Sequence, residues 1–206
     1  MTGVVLVGAG GVGRRHASVL AGLQVAVLAV VDTDLDAAGA LATDYGATTF
    51  TDTERALDEV DPDAVYVCTP PFARGAAERA TLQRGLPLFA EKPLSADLAV
   101  AEEIAELAQR AGVVTGTGYH WRCLDTVAHA VELLRTTPPL LATGYWLDKR
   151  PPVGWWGRRD GSGGQVVEQL THVLDLARLL LGEAEEVYAA AAGGDPADPA
   201  AVDDAT

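Results

Sequence analysis

The stretch from Val4 to His16, VVLVGAGGVGRRH, decides the fold. Four consecutive apolar residues, Val4 to Val7, three of them β-branched, read as a buried strand that the following glycines break at once. Gly8, Gly10 and Gly13 stand in GxGxxG spacing between this strand and a helix predicted from Gly11 to about Gly22. Each glycine has its own task. Gly8 permits the tight turn, Gly10 lets the backbone approach a pyrophosphate, and Gly13 allows the helix to pack closely on the strand. The helix N-terminus offers N–H groups to the phosphates, so Gly8, Gly10, Gly11, Val12 and Gly13 together form a dinucleotide loop.

The pattern continues outward. A second strand is predicted over Val25–Val31, and Asp32 ends it, 19 residues after Gly13, where a carboxylate can bond a ribose hydroxyl. Asp32 would repel a 2′-phosphate, and the next four residues, TDLD, bring no arginine to offset it, so NAD is favoured; Arg14 and Arg15 keep NADP open. Downstream the spacing predicts a helix over Asp34–Asp44 ended near Gly46, a strand over Thr48–Phe50, and a helix over Thr53–Val60. A strand over Ala64–Cys68, a helix over Ala73–Gly85 and a strand over Leu86–Ala90 follow. Ser95 is the expected N-cap of a helix running to Arg110 and stopped by Gly112, and Val113–Thr117 is the sixth strand. Strands alternating with helices in this way make an α/β Rossmann fold, a doubly wound parallel sheet, over residues 1–119.

Beyond Tyr119 the texture turns aromatic and proline-rich, and residues 120–206 are expected to be a second domain, a partial α+β open sheet. Val127–Leu134 reads as helix, Leu140–Leu147 as strand, Lys149–Gly164 as loop, Gln165–Leu181 as a strong helix ended by Gly182, and Val187–Ala192 as strand. The run GGDPADPAAVDDAT from Gly193 onward reads as a solvent-exposed connection. In the helix, Glu168, His172 and Asp175 share one face by their i, i+4, i+7 spacing, opposite Val167, Leu170, Leu174 and Leu181. A titratable stripe on so apolar a helix is costly unless it faces a wet cleft; an exposed Glu168–His172 pair is the plainer alternative.

Composition narrows the partners. The 206 residues are 49% hydrophobic with a formal charge of −14 and a pI near 4.5, which argues against nucleic acid and anionic membranes and for small molecules. No apolar run approaches the ~18 residues of a membrane span, and no secretory leader is evident, so a cytoplasmic location is expected. Cys68 and Cys123 read as free thiols, and no His or Cys spacing suggests a metal site.

The fifth predicted strand ends in Phe89-Ala90-Glu91-Lys92-Pro93-Leu94. Strand ends on this edge of a doubly wound sheet face the ligand crevice, where a lysine can donate to a substrate hydroxyl and stabilise a developing alkoxide. At this point the residues are recognisable. GAGGVGRRH (8–16), TPP (69–71), EKPL (91–94), GYHWR (118–122) and SGGQVVEQLTHVLDLARLLLG (162–182) resemble the glucose-fructose oxidoreductase, inositol dehydrogenase and rhizopine-catabolism (Gfo/Idh/MocA) family.

The resemblance implies an NAD(P)-dependent oxidoreductase acting on a secondary alcohol of a sugar, inositol or related polyol. It assigns Lys92 to the active site, aimed by Pro93 through a peptide often cis; Thr69 and Pro70 to the nicotinamide side of the cofactor; and Glu91 to a place beside the ribose. It makes His172 the general acid/base or substrate ligand, with Glu168 where aspartate is commoner. In the implied reaction His172 takes the hydroxyl proton, Lys92 polarises the oxygen and Glu168 orients the pair while hydride passes to the nicotinamide. Tyr119 and Arg122 fall in a matching segment expected to bind substrate. Trp155 and Trp156, flanked by Arg158 and Arg159, sit in the loop that would cover the substrate, where sugar stacking and plain packing are equally open. His16 and His120 are expected to be packing or cofactor-side residues, and His129 an exposed helix residue.

Two departures bear on the pocket: Leu170 stands where the family has glycine two residues before the histidine, and Arg74 stands where histidine often follows the TP dipeptide. Family members are also considerably longer, their second domain being a large sheet built after the histidine helix. A truncated reading frame, or a chain completed by another polypeptide, is therefore expected, and homo-oligomerisation stays open. The rival readings are a catalytically silent NAD-binding module and, more distantly, a methyltransferase, which the EKP motif disfavours.

Overall fold

The computed structural model describes residues 2–192, 197–198 and 200–202. They form two compact units, divided between Gly118 and Tyr119.

The first unit alternates strand and helix. Its strands are β1 (Gly3–Val7), β2 (Ala26–Val31), β3 (Thr48–Phe50), β4 (Ala64–Val67), β5 (Leu88–Ala90) and β6 (Thr115–Thr117). Its helices are α1 (Gly11–Gly22), α2 (Leu35–Tyr45), α3 (Thr53–Glu59), α4 (Ala76–Gln83) and α5 (Leu98–Ala111). All neighbouring strands pair in parallel, in the order β3-β2-β1-β4-β5-β6, the doubly wound order whose direction reverses between β1 and β4.

Every residue of β1 is buried, and its side chains alternate between two cores. Val5 and Val7 join Ala56 and Leu57 of α3, Ala77 and Ala80 of α4, and Ile104 of α5. Val4 and Leu6 join Ala17 and Leu20 of α1 and Ala38 and Leu41 of α2. A strand sealed on both faces carries no polar residue to mark an outer side, hence the continuous apolar run.

Two expectations shift here. The helix predicted from Ala73 begins only at Ala76, because Gly75 adopts a φ of 115°, and a Cβ there would meet the Arg79 guanidinium and Val100. The cap of α5 is Asp97, whose carboxylate accepts from Ala99 N–H; Ser95 Oγ instead accepts from Asp97 N–H.

The second unit holds α6 (Asp125–Leu134), a 3-10 turn (Gly154–Gly157), α7 (Arg159–Ser162), a π-helical stretch (Val166–Leu170) and α8 (Thr171–Leu181). The strands expected at Leu140–Leu147 and Val187–Ala192 do not form. Leu140, Leu141, Tyr145, Leu147, Val187 and Tyr188 are exposed, and without a ladder to receive its N–H and C=O groups a β-prone segment stays irregular.

The helix face is inverted relative to expectation, since His172 and Asp175 are buried while Leu174 and Leu181 are exposed. The buried Asp175 carboxylate has a charged partner, Arg122, that offsets its desolvation. The final run is not wholly solvent-exposed either. Val202 is buried, Arg159 N–H donates to Ala200 C=O, and an antiparallel bridge joins Arg158 to Ala201; Gly193–Pro196, Pro199 and Asp203–Thr206 lie outside the described residues. No helix of the described residues is long and apolar enough to cross a membrane.

Candidate active site

In the first unit the glycine loop follows β1 at the carboxyl edge of the sheet. Gly8 turns at a φ of 103°, and a Cβ on it would stand 2.8 Å from the Cys68 carbonyl. At Gly13 a Cβ would overlap the Gly8 carbonyl oxygen, so this glycine is demanded by packing within the protein. Gly10 and Gly11 are different: a Cβ on either would meet no atom of the described residues within 4 Å. Gly10 is the extended N-cap of α1, which has no side-chain cap and no acidic residue in its first turn. The helix end is thus open to an anion.

Asp32 Oδ2 accepts the Ala9 N–H at 2.7 Å and Oδ1 accepts the Asp34 N–H at 3.0 Å. The carboxylate therefore pins the glycine loop, and each oxygen retains a lone pair for a further donor. Across the β1–β4 reversal, Thr69 Oγ1 is buried and finds no hydrogen-bond partner among the described residues. An open helix end, a glycine with space above it and an orphaned hydroxyl fit a dinucleotide bound across this edge.

Arg74 does not line an open pocket. Its guanidinium turns inward, donating to Thr69 C=O at 2.9 Å, to Val67 C=O at 3.1 Å and to Glu78 at 3.4 Å. The Arg74 and Glu78 side chains are 1% and 0% exposed, and the second Glu78 oxygen accepts the Gly75 N–H at 2.8 Å. The pair braces the turn that carries Thr69 and Pro70.

Glu91 and Lys92 follow β5 on the same edge, and the Lys92–Pro93 peptide is cis. Glu91 Oε1 lies 2.8 Å from His16 Nε2 on α1, and Oε2 accepts the Lys92 backbone N–H at 3.0 Å. Burial works to raise the Glu91 carboxyl, but the His16 hydrogen bond and charge, with the Lys92 N–H and charge, hold it below the usual carboxylate range. The nearby Cys68 thiol is pushed up to about 12, first by burial and then by the charge of Glu91, against the opposing pull of Arg74; it stays protonated near neutrality and is no nucleophile.

In the second unit His172 is 5% exposed, within an aromatic cluster. Trp121 stacks on it at 5.2 Å and Trp146 at 6.0 Å, while His120 and Tyr119 meet it edge-on. Tyr119 Oη bonds Thr171 Oγ1 at 3.1 Å. Arg122 grips Asp175 through two 2.7 Å bonds, an arrangement that fixes both planes. Glu168 lies in the π-helical stretch and accepts the Trp156 Nε1–H at 3.2 Å. Trp156 is buried beneath the Arg150 guanidinium, and Trp155 is half-buried.

Sequence reasoning did not single out Trp121, Trp146, Glu78 or the His16–Glu91 contact. Only Glu78 had a usable signal, its i+4 spacing from Arg74 and its place three residues after Gly75. A cavity of about 520 Å³ between α5 and the β5–β6 edge, lined by Leu88, Leu94, Ile104 and Val113, holds no titratable side chain and is not a catalytic candidate.

Comparison with known proteins gives a consistent picture. The family model described as "Oxidoreductase family, NAD-binding Rossmann fold" matches residues 2–119, and that of the GFO/IDH/MocA C-terminal domain matches residues 124–206. A 1,5-anhydro-D-fructose reductase of Ensifer adhaerens is 31% identical over 166 residues, 76% of this chain and 49% of its own. A D-glucoside 3-dehydrogenase of Escherichia coli K12 is 31% identical over 195 residues, 87% of this chain and 54% of its own. The crystal structure of GenD2 from gentamicin A biosynthesis, in complex with NAD, superposes with a TM-score of 0.75 at 28% identity, covering 88% of this chain and 54% of that one. The chain spans about half the length of the curated relatives it matches.

Proposed function

Because the chain belongs to the GFO/IDH/MocA oxidoreductase family, whose first domain is an NAD-binding Rossmann fold, we propose that it transfers a hydride between a sugar or polyol secondary alcohol and nicotinamide. The observation that carries the reading is the shared edge of the first unit: glycine loop, Thr69 turn and Lys92 all follow the carboxyl ends of parallel strands. Gly8, Gly10, Gly11, Val12 and Gly13 would hold the pyrophosphate, Asp32 a ribose hydroxyl, Thr69 and Pro70 the nicotinamide side, and Glu91 would lie beside the ribose. When bound, the nicotinamide supplies the hydride acceptor. Lys92 steadies the substrate oxygen as its proton leaves, and His172 is the proposed acceptor of that proton, with Glu168 a positioning residue. Tyr119, Arg122, Trp155 and Trp156 are proposed for the substrate side, Arg122 as part of its pair with Asp175.

The purified chain is expected to reduce NAD with a member of a panel of cyclic polyols and aldoses, read by nicotinamide absorbance. Tight NAD binding without turnover across the panel would instead make it a silent binding module. In the same assay Asp32→Ala should weaken NAD binding by about 10- to 100-fold, the loss of charge-assisted bonds, while narrowing the gap to NADP. An unchanged NAD to NADP ratio would remove Asp32 from the ribose site.

The glycines make a paired test. Gly13→Ala should lower stability by about 1–3 kcal/mol, because its Cβ overlaps the Gly8 carbonyl oxygen. Gly10→Ala, with open space for its methyl group, should melt like the native chain yet bind NAD more weakly. Equal NAD affinity in Gly10→Ala and the native protein would argue that no pyrophosphate approaches there.

A further inference from the structure

His16 lies on α1, the helix whose open N-terminus faces the glycine loop, while Lys92 lies just after β5. Ring packing and two hydrogen bonds through Glu91 join them. The His16 ring packs against Phe89 at 5.0 Å and Tyr66 at 5.8 Å, and those two rings stack at 4.9 Å. This holds Nε2 at 2.8 Å from Glu91 Oε1, and because an ionised carboxylate only accepts, His16 is the donor. The other Glu91 oxygen takes the Lys92 N–H. Both side chains are largely shielded, at 22% and 17% exposure, so the bond is not a solvated surface pair. Gly118 completes the arrangement, since any Cβ there would overlap the Glu91 carboxylate and crowd the Lys92 nitrogen at 2.9 Å.

We propose that His16 is a positioning residue which, acting through Glu91, fixes the Lys92 backbone relative to the helix that receives the cofactor pyrophosphate. Glu91 has one carboxylate oxygen for each partner, so losing His16 frees the carboxylate to rotate and releases the Lys92 amide. The lysine then samples positions away from the reacting oxygen, and displacements of about 1 Å can cost a factor of 100 in rate. The proposal rests on the functional reading above only for its kinetic arm.

The test compares His16→Leu, which keeps bulk without a donor, with His16→Gln, whose amide can replace Nε2. Backbone hydrogen exchange at Lys92 in the cofactor-free protein should speed up about tenfold or more in His16→Leu and stay near native in His16→Gln. Turnover should fall about 10- to 100-fold in His16→Leu, with substrate KM little changed and recovery in His16→Gln. Native exchange at Lys92 in His16→Leu would overturn the proposal. So would an equal loss of protection in both variants, the mark of a purely structural histidine. A native chain that turns over no substrate would sink the functional reading and leave the exchange result to decide this one.

Discussion

Lys92→Ala is expected to lower turnover by about 10²- to 10⁴-fold while leaving the melting temperature and NAD affinity near those of the native chain. The expectation follows from position. Lys92 follows β5 at the edge where β1 carries the glycine loop, yet the loop, Asp32 and the Thr69 turn are built from other residues. Removing its side chain therefore leaves the glycine loop, the proposed phosphate site, as it is. Lys92→Arg, which keeps charge but changes reach and donor geometry, should recover little of the rate. Turnover in Lys92→Ala equal to the native value would end the assignment of Lys92 to the chemistry.

The second large effect is on stability. Glu78→Ala should destabilise the first unit by about 3–5 kcal/mol, because it leaves the Arg74 guanidinium buried without its counter-charge. Burial already pulls the Arg74 guanidinium below its usual value, with Glu78 the main opposing influence. The loss corresponds to a fall in melting temperature on the order of 10 °C, readable by circular dichroism. Replacing both residues with apolar ones, Arg74→Met with Glu78→Leu, should recover much of that loss. It should also loosen the Thr69 turn, since the bonds from Arg74 to the Val67 and Thr69 carbonyls go with it. A Glu78→Ala protein that melts like the native one would show that Arg74 finds water or another acceptor.

The first unit was legible because its signals are local and mutually consistent. Gly46 and Gly112 stop helices in the left-handed conformation at the ends the spacing predicts, and the helix expected from Asp34 starts one residue later, with Asp34 as its cap. Where two capping residues lay close together the reading chose wrongly: Ser95 was the expected cap of α5, and Asp97, two residues on, is the residue that caps it. The break at Gly75 was hidden because Arg74 and Glu78 look like an exposed helical pair until the fold buries them. In the second unit periodicity named β-prone runs but held no information on a strand partner, and none of the described residues pairs with Leu140–Leu147. The Trp121–His172–Trp146 stack joins residues up to 51 positions apart, which no local pattern reports.

Asp32 links two properties that a protein engineer would wish to vary separately. Its carboxylate holds the Ala9 N–H inside the glycine loop, and it is also the residue proposed above to receive the ribose. A redesign toward NADP that starts, as charge repulsion dictates, by removing this acid also slackens the loop that both cofactors need. The first round of such a campaign should trade affinity for selectivity, and recovery should come from a neutral side chain at residue 32 that can still accept from Ala9.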